Sequence, residues 1–580
     1  MRAALALCAV LALGLGVPRW AHAEAAAAPA AAAPAADADV VPDDPDAPDA
    51  PPFGAATLRE ILDAVRARHL APLLEQPRPW VAGANGALSL LHPPLMLMEA
   101  GQRRATAAGW PGFSGSGEPL RCGGPPRTDV LLVPRASTNW SPPWRDQLPP
   151  LAWGVTTARA LDVEVAAGFA APFDEAAFRC IVSRVLEATP AEQHEDVWRR
   201  AVRWLLRAHD VHTRHAEERL WEAVNRAESS HAELGFSLRW HEQRWQISSV
   251  VARGPADEAG IRGGDWLLAV AGKTTVGMKQ QTLAGLLDRK PGSRIAMRVQ
   301  TGDESPRNTT LVVRELLELD VTAAPLAGVR DALVVAIRKF APGGDARLAT
   351  ALHPKKGRPP KLLVLDLRGN GGGIIPVALA ILGQLAGPVA AAQVTTRDGS
   401  ATVDADAAPA GGPLQAPLAV LVDAGCASAC ELLTSALRRH RGAVVFGRPT
   451  YGKATLQDAI PLKQGPGRLM LTIGRFDQSD GGPIQAVGLL PDVIAAIGRN
   501  KGPREGDLDF ALRVPGAPYA PAAPAKRPAL QRCLERLPAP AVGDSTAKAA
   551  PAGTTPAQRA AKHPLVAWMA RVVGCVAGRG

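Results

Sequence analysis

Two apolar segments that each run into a turn of small residues constrain the fold of this 580-residue chain most strongly. The first ends in the glycine-rich residues 368–373, and the second ends in residues 423–428. A helical pattern of apolar residues follows each turn, over residues 374–385 and 428–441. Because residues 330–495 continue this alternation of strand and helix, the sequence predicts an α/β core there.

The N-terminal residues predict export. Arg2 precedes an apolar run, and Ala21-His22-Ala23 places small residues where a signal peptidase cuts. We predict a signal peptide over residues 1–23 and a secreted or periplasmic location. An uncleaved anchor is the alternative, which the short apolar run disfavours. No later segment is predicted to cross a membrane. Residues 24–53 are almost entirely Ala, Pro, Asp and Val, and are predicted to be a disordered linker.

Six cysteines follow the predicted cleavage site, and an exported chain permits disulfides. We predict the pairs Cys122–Cys180 and Cys533–Cys575, because the members of each pair lie outside the predicted α/β core and on the same side of it along the chain. Cys426 and Cys430 allow two interpretations, a disulfide across the turn between them or two buried thiols that fill space. No spacing matches a zinc site, and the net charge of +10 is spread along the chain rather than gathered into a nucleic-acid module.

The remaining sequence divides into regions by pattern. Residues 54–170 contain one predicted helix, over 58–74, and no assignable role. Residues 171–230 carry two amphipathic stripes and are predicted to form a helical domain. Short strands and helices are predicted over 231–316. The core is predicted over 317–500. A Pro- and Ala-rich tail is predicted over 501–580, with short helices near 528–537 and 556–576.

The segment Leu234-Gly235-Phe236 resembles the carboxylate-binding loop of PDZ domains. A glycine there lets successive backbone N–H groups converge on a terminal carboxylate, and the bound peptide then adds a strand to the sheet edge. Residues 254–267 are similar to the turn, helix and strand that follow in that family. The predicted partners are C-terminal tails of proteins or peptides, with a possible adaptor or regulatory protein. The alternative is a β domain that binds no peptide.

The second turn predicts an exposed serine. Ser428 follows a strand and precedes a helix, and Glu431 stands three residues later, as in a capping box. Lys453 and Gln457 lie four residues apart in a predicted strand, a spacing that directs both side chains to one face. The turn at residues 368–373 suits an oxyanion hole or a phosphate site. It lacks the Lys-Ser/Thr pair of a P-loop.

In this order, the motifs resemble those of the carboxyl-terminal processing, or tail-specific, proteases. Residues 483–493 and the upstream Asp210-Val211-His212-Thr213 fit the same pattern, so the resemblance covers residues 175–495. It implies a multidomain α+β protein with a helical N-terminal region and a PDZ-like β domain. That β domain is inserted before an α/β protease core of crotonase-like or ClpP-like type. Cys426 and Cys430 depart from the small polar residues common there, and Gly371 stands where proline is common.

The resemblance implies a serine endopeptidase that needs no ATP, metal or other cofactor. Ser428 would be the nucleophile, Lys453 the general base and Gln457 its support. A lysine can act as the base only when neutral, so its pKa must fall from about 10.4, typically by burial. The amides of Ala429 and of Gly372, or of a neighbouring glycine, would hold the oxyanion.

Each site residue also has an ordinary structural interpretation. Ser428 could be only a helix N-cap, and Lys453 a solvated surface lysine. His212 invites a Ser-His-Asp interpretation, but a histidine at a helix end is more often structural, and we favour that role. The alternative function is a non-catalytic PDZ scaffold or a ligand-binding protein on the same fold.

Overall fold

We describe a computed structural model of the chain. It describes residues 52–91, 95–100, 118–134, 169–216, 232–540 and 555–578, with short gaps at 242–243, 251–253, 279, 291, 303, 316–319, 354–358, 410–411, 496–503, 509, 519–520, 522–523 and 525–526. The predicted signal peptide and nearly all of the predicted linker lie outside these residues. Within the described residues, no helix has both the length and the apolar character to cross a membrane.

The N-terminal region combines helices with a small antiparallel sheet. Its elements are α1 (Ala55–Arg68), α2 (Pro77–Leu88), β1 (Leu95–Glu99), β2 (Glu118–Leu120), β3 (Arg127–Pro134), α3 (Glu175–Ala188), α4 (His194–His209) and β4 (Arg214–Ala216). α2 packs closely on α3 and α4 because it carries glycines: a Cβ atom at Gly86 would lie 2.7 Å from Arg200 O. Cys122 of the β2–β3 turn is disulfide-bonded to Cys180 of α3, which confirms that prediction.

The predicted helix over 58–74 is too long. α1 ends at Arg68, because His69 adopts an extended backbone and its Nδ1 accepts from Ala71 N–H. Pro72 and a 3₁₀ turn at Leu73–Glu75 follow. Phe53, the last residue of the predicted linker, is buried against the ring of His215.

A small β domain follows. It contains β5 (Ala232–Glu233), β6 (Phe236–His241), β7 (Arg244–Val250), α5 (Pro255–Glu258), β8 (Trp266–Val270), β9 (Lys273–Thr274), α6 (Gln280–Leu287), β10 (Arg294–Gln300), β11 (Arg307–Val312) and β12 (Arg314–Glu315). The main sheet has the order β11-β10-β8-β7-β6, so β6 lies at an edge. The short strands and helices predicted over 231–316 are therefore present.

The core is built from two sheets. Its elements are β13 (Val321–Pro325), β14 (Ala332–Ile337), α7 (Gly344–Leu352), β15 (Leu362–Asp366), α8 (Ile375–Ala386), β16 (Ala390–Thr396), β17 (Gly399–Asp404), β18 (Leu418–Val422), α9 (Ala429–Arg441), β19 (Val444–Gly447), β20 (Thr455–Pro461), β21 (Arg468–Gln478) and β22 (Val493–Ile494). The first sheet, β13-β14-β15-β18-β19-β22, is parallel except for β13. β15 and β18 are neighbours, which brings the two predicted turns together at one sheet edge.

The second sheet connects the core to the N-terminal region. Its order is β17-β16-β21-β20, and β4 pairs with β21. Helices α7, α8 and α9 share one apolar cluster with one face of the first sheet. Leu469 and Leu471 of β21 belong to a different cluster, formed with α1 to α4. The helical region and the core are therefore joined by a continuous apolar contact.

The C-terminal residues cover the other face of the first sheet. Helices α10 (Pro528–Arg536), α11 (Pro556–Ala561) and α12 (Pro564–Val576) pack there in one apolar cluster, and the predicted disulfide Cys533–Cys575 joins α10 to α12. The sequence predicts the helices but not this packing, because their short stripes are separated by Pro- and Ala-rich stretches. The predicted helix near 556–576 divides at Pro564, the first residue of α12.

Candidate active site

Ser428 stands at the N-terminus of α9 with an unusual backbone conformation. Its φ is 58° and its ψ is −124°. A residue other than glycine adopts such backbone angles only where its surroundings hold it there, and such residues cluster at functional sites. Ser428 N–H donates to Lys453 O at 3.0 Å, so the backbones of the two residues are directly joined.

Glu431 holds the turn and the loop before β20 together. Its carboxylate is fully buried and accepts from the N–H groups of Ser428, Gly452 and Lys453 at 3.1, 2.8 and 2.9 Å. It also accepts from the Thr450 hydroxyl. Burial raises the pKa of Glu431 to about 8, although these hydrogen bonds oppose the shift. The capping-box residue seen in the sequence therefore fixes the Lys453 backbone as well as the helix end.

Lys453 lies two residues before β20 rather than within a strand. Its Nζ donates to Thr455 O and to Gln457 Oε1, both at 2.9 Å. The predicted Lys453–Gln457 pair is therefore in contact. Burial lowers the pKa of Lys453, while the nearby carboxylates of Glu505, Asp210 and Glu431 oppose this. Among the described residues Ser428 Oγ makes no hydrogen bond to Lys453 Nζ.

The glycine-rich turn lies against Ser428. A Cβ atom at Gly372, whose φ is +104°, would lie 2.9 Å from Ser428 Cβ and 3.3 Å from Ala429 N, so only glycine fits there. Asp423 joins the two turns by accepting from Gly369 and Gly425 N–H at 2.8 and 2.9 Å.

The two amides expected at the oxyanion hole differ in their partners. Gly372 N–H donates to Asn370 Oδ1 at 2.8 Å. No hydrogen bond from Ala429 N–H is present among the described residues. The structure thus brings Gly372 and Ala429 beside Ser428, with the Gly372 amide engaged by its own turn.

A disulfide joins Cys426 and Cys430 across the turn that carries Ser428, so the structure favours the first of the two interpretations of this pair. The Cα atoms are 5.5 Å apart, and both residues are completely buried. The close approach arises because Cys426 precedes α9, outside the regular helix.

Among the described residues, no hydrogen bond joins His212 to Ser428, although His212 does contact a carboxylate. Its Nε2 lies 2.9 Å from an oxygen of Glu505, a fully buried carboxylate that also accepts from Gln485 Nε2 at 3.0 Å. Glu505 N–H donates to Tyr451 O at 2.9 Å. Sequence reasoning missed Glu505, which it placed in the tail. Its only signal is an acidic residue among Pro and Gly.

The PDZ-like loop is well placed at the sheet edge. Gly235 has a φ of +75°, and a Cβ atom there would lie 3.0 Å from Pro255 Cδ. Ala256 N–H donates to Leu234 O at 3.0 Å, which ties the loop to α5. Leu234 and Phe236 are half-buried and pack on an apolar cluster that includes Leu283 of α6. The loop therefore lies beside the edge strand β6 and shares an apolar cluster with α6.

Family comparisons identify both parts of this arrangement. Residues 331–495 match the family model described as Peptidase family S41, and residues 246–301 match a model described as PDZ domain. The chain contains a PDZ domain followed by a peptidase family S41 domain. The S41 match includes Ser428, Lys453 and Gln457. The PDZ match begins after residues 234–236.

Curated proteins that resemble this chain are named carboxyl-terminal-processing or tail-specific proteases. A carboxyl-terminal-processing protease of Synechocystis sp. is 27% identical over 280 residues, which are 47% of this chain and 64% of the relative. A chloroplastic carboxyl-terminal-processing peptidase of Arabidopsis thaliana is 30% identical, over 42% of this chain and 48% of its own length. A tail-specific protease of Haemophilus influenzae is 26% identical, over 49% of this chain and 43% of its own length. The matched residues span between 43% and 64% of the length of these relatives.

Among solved structures, a photosystem II D1 C-terminal processing protease aligns with a TM-score of 0.40 and 24% identity, over 54% of this chain and 85% of that one. The S41 and PDZ matches confirm the predicted order of a PDZ domain before a protease core. The N-terminal region and the C-terminal helices lie outside both matches.

Proposed function

We propose that this chain is an exported, ATP-independent serine endopeptidase that cleaves proteins near their C-termini. The relatives named above are carboxyl-terminal-processing and tail-specific proteases. The observation that carries the proposal is the hydrogen-bonded connection of Ser428, Glu431 and Lys453, with Lys453 half-buried and bonded to Gln457. Export follows from the predicted signal peptide.

The contacts of Lys453 suit a general base. A neutral amine has two N–H groups and one lone pair, and here Thr455 O and Gln457 Oε1 accept two N–H bonds. The lone pair remains available for the Ser428 proton. Burial lowers the pKa of Lys453 and so increases the neutral fraction.

The chemical steps follow from this assignment. Ser428 Oγ attacks the peptide carbonyl carbon as its proton passes to Lys453 Nζ, and the oxygen becomes an oxyanion held by Ala429 N–H and an amide of the glycine turn. The C–N bond then breaks as Lys453 returns the proton to the leaving amine. Water then attacks the acyl carbonyl carbon as Lys453 Nζ takes its proton. The bond between that carbon and Ser428 Oγ breaks, Lys453 returns the proton to Oγ, and the acid product leaves.

The PDZ domain supplies the substrate preference. A C-terminal carboxylate accepts N–H bonds from the loop at Leu234-Gly235-Phe236, and the peptide adds beside β6 with its apolar side chains toward α6. The substrates are therefore proteins or peptides with free, apolar C-termini. An adaptor protein could bind the same edge.

Comparing free and amidated peptides tests the proposal. The parent should cleave a peptide with an apolar, free C-terminus at least several-fold more efficiently than the amidated peptide, because amidation removes the charge held by the loop amides. Ser428→Ala should cleave neither. Equal cleavage of both peptides would contradict the role of the PDZ loop. Binding without cleavage by the parent would support the non-catalytic scaffold instead.

A further inference from the structure

A continuous hydrogen-bond chain leads from Lys453 into the N-terminal helical region. Gln457 Oε1 accepts from Lys453 Nζ at 2.9 Å, and Gln457 Nε2 donates to Thr472 Oγ1 at 3.1 Å. Gln457 and Thr472 are directly opposite each other on β20 and β21. Thr472 N–H then donates to Thr213 Oγ1 at 3.2 Å. The amide of Gln457 is therefore held from the side that faces away from Lys453.

The chain continues through a buried carboxylate. The Thr213 hydroxyl donates to Asp210 Oδ2, and His69 Nε2 lies 3.1 Å from the same oxygen. Burial opposes ionisation of Asp210, but hydrogen bonds from His69, Thr213 and His212 N–H outweigh it and hold the pKa of Asp210 below its ordinary value. An ionised carboxylate only accepts, so Thr213 must donate to it and is free to accept from Thr472.

His69 completes the chain from the N-terminal region. His69 Nδ1 lies 3.0 Å from Ala71 N and 2.8 Å from Ala71 O. Because an ionised carboxylate only accepts, His69 Nε2–H donates to Asp210. The next residue, Leu70, donates its N–H to Thr472 O at 3.1 Å. Both His69 and Asp210 are almost completely buried. The segment after α1 is thus bonded to both ends of the Thr472–Asp210 connection.

The orientation of the Gln457 amide matters for the proposed base. With Oε1 toward Lys453, the amine donates an N–H and keeps its lone pair. The reverse orientation would direct an amide N–H at that lone pair and compete with the Ser428 proton. A contact that holds Nε2 toward Thr472 therefore favours the reactive form of Lys453.

We propose that His69, Asp210, Thr213 and Thr472 are positioning residues that hold Gln457, and through it Lys453, ready to accept the Ser428 proton. This inference rests on the proposed function, and it gives the N-terminal region a role in catalysis that its sequence did not show. The titratable groups around this series of hydrogen bonds are Glu505, Glu431, Arg214, Arg78 and His209.

A double-mutant cycle on the full chain tests this role. The measurement is the rate at which a fluorophosphonate, a general serine-reactive probe, modifies Ser428. His69→Ala and Thr472→Val should each slow modification about three- to tenfold, the effect of one lost hydrogen bond. When Thr472 is already Val, His69→Ala should not slow the modification of Ser428 any further, because Thr472→Val has already broken the connection between His69 and Gln457.

Two matched variants separate positioning from general damage. His69→Gln keeps a donor for Asp210 and should recover most of the parent rate. His209→Leu removes the buried ring that packs edge-to-face against His69, with centroids 4.1 Å apart, but breaks no hydrogen bond of the Lys453–His69 connection. It should react at the parent rate.

The outcomes distinguish the two proposals. Suppose that Lys453→Met slows the modification of Ser428, as the proposed function requires. If the rate losses of His69→Ala and Thr472→Val then multiply in the double variant, or if Thr472→Val reacts at the parent rate, only the positioning role is overturned. A parent rate in Lys453→Met would overturn the proposed function and the positioning role with it. If His69→Ala does not fold, the nearly isosteric Thr213→Val, which removes the hydroxyl between Asp210 and Thr472, replaces it in the cycle with Thr472→Val.

Discussion

At the residue scale, Lys453 differs most from its ordinary structural interpretation. A surface lysine is solvated, whereas Lys453 Nζ bonds Thr455 O and Gln457 Oε1 inside the site, and burial lowers its pKa. Glu431, which the sequence marks only as a capping residue, binds the Lys453 backbone. One helix-capping carboxylate thus links the proposed nucleophile to the proposed base.

The pH dependence of peptide cleavage tests the role of Lys453. As a base, Lys453 must be neutral, so kcat/KM should rise with pH through its pKa. Because burial lowers that pKa, the pH at which kcat/KM is half-maximal should lie below the ordinary lysine pKa of about 10.4. Lys453→Met should lose at least about a hundredfold in kcat across the range.

The exposed Lys361 provides the matched control for this profile. Its side chain is 67% exposed and pairs with Asp331, so Lys361→Met should retain the parent profile. If kcat/KM of Lys453→Met still rises with pH as it does in the parent, the rise must come from the titration of another group. The role of Lys453 as base would then be wrong.

At the element scale, the strand–turn–helix that carries Ser428 is fixed from three sides. Glu431 binds its backbone, Gly372 packs against it, and the Cys426–Cys430 disulfide closes it. The sequence predicts the strand, the turn and the helix, because apolar runs and small residues specify them locally. Sequence could not decide between the disulfide and two packed thiols, because that depends on how closely the turn brings Cys426 to α9.

Removing this disulfide should change activity more than stability. A chain-entropy estimate gives about 2 kcal/mol for so short a loop and about 4 kcal/mol for one of about 42 residues. Cys426→Ser/Cys430→Ser should therefore lower kcat several-fold, because the nucleophile turn loosens. Its thermal midpoint should change less than that of Cys533→Ser/Cys575→Ser.

The second pair is a suitable control because it joins α10 to α12 on the opposite face of the sheet. Cys533→Ser/Cys575→Ser should lower the midpoint in calorimetry and leave kcat near the parent value. Full activity in the Cys426→Ser/Cys430→Ser variant would mean that the short disulfide does not hold the nucleophile in place.

At the scale of the whole molecule, the sequence predicts the local segments better than their assembly. The PDZ strands, the core alternation and the positions of Ser428, Lys453 and Gln457 follow from short patterns. The contact of His69 with Asp210 does not, because it joins residues 141 positions apart. Glu505 was missed for the same reason, since its partner His212 is 293 positions away. The packing of α10 to α12 on the sheet likewise depends on distant apolar partners.

The most direct test of the proposed Ser428–Lys453 protease is to locate the residue that a fluorophosphonate modifies in the full chain. Mass spectrometry of the digested adduct should place it on Ser428. Ser428→Ala should give no adduct, and Lys453→Met should react at least about a hundredfold more slowly than the parent. An adduct on a different serine, or modification of Ser428 at the parent rate in Lys453→Met, would contradict the account.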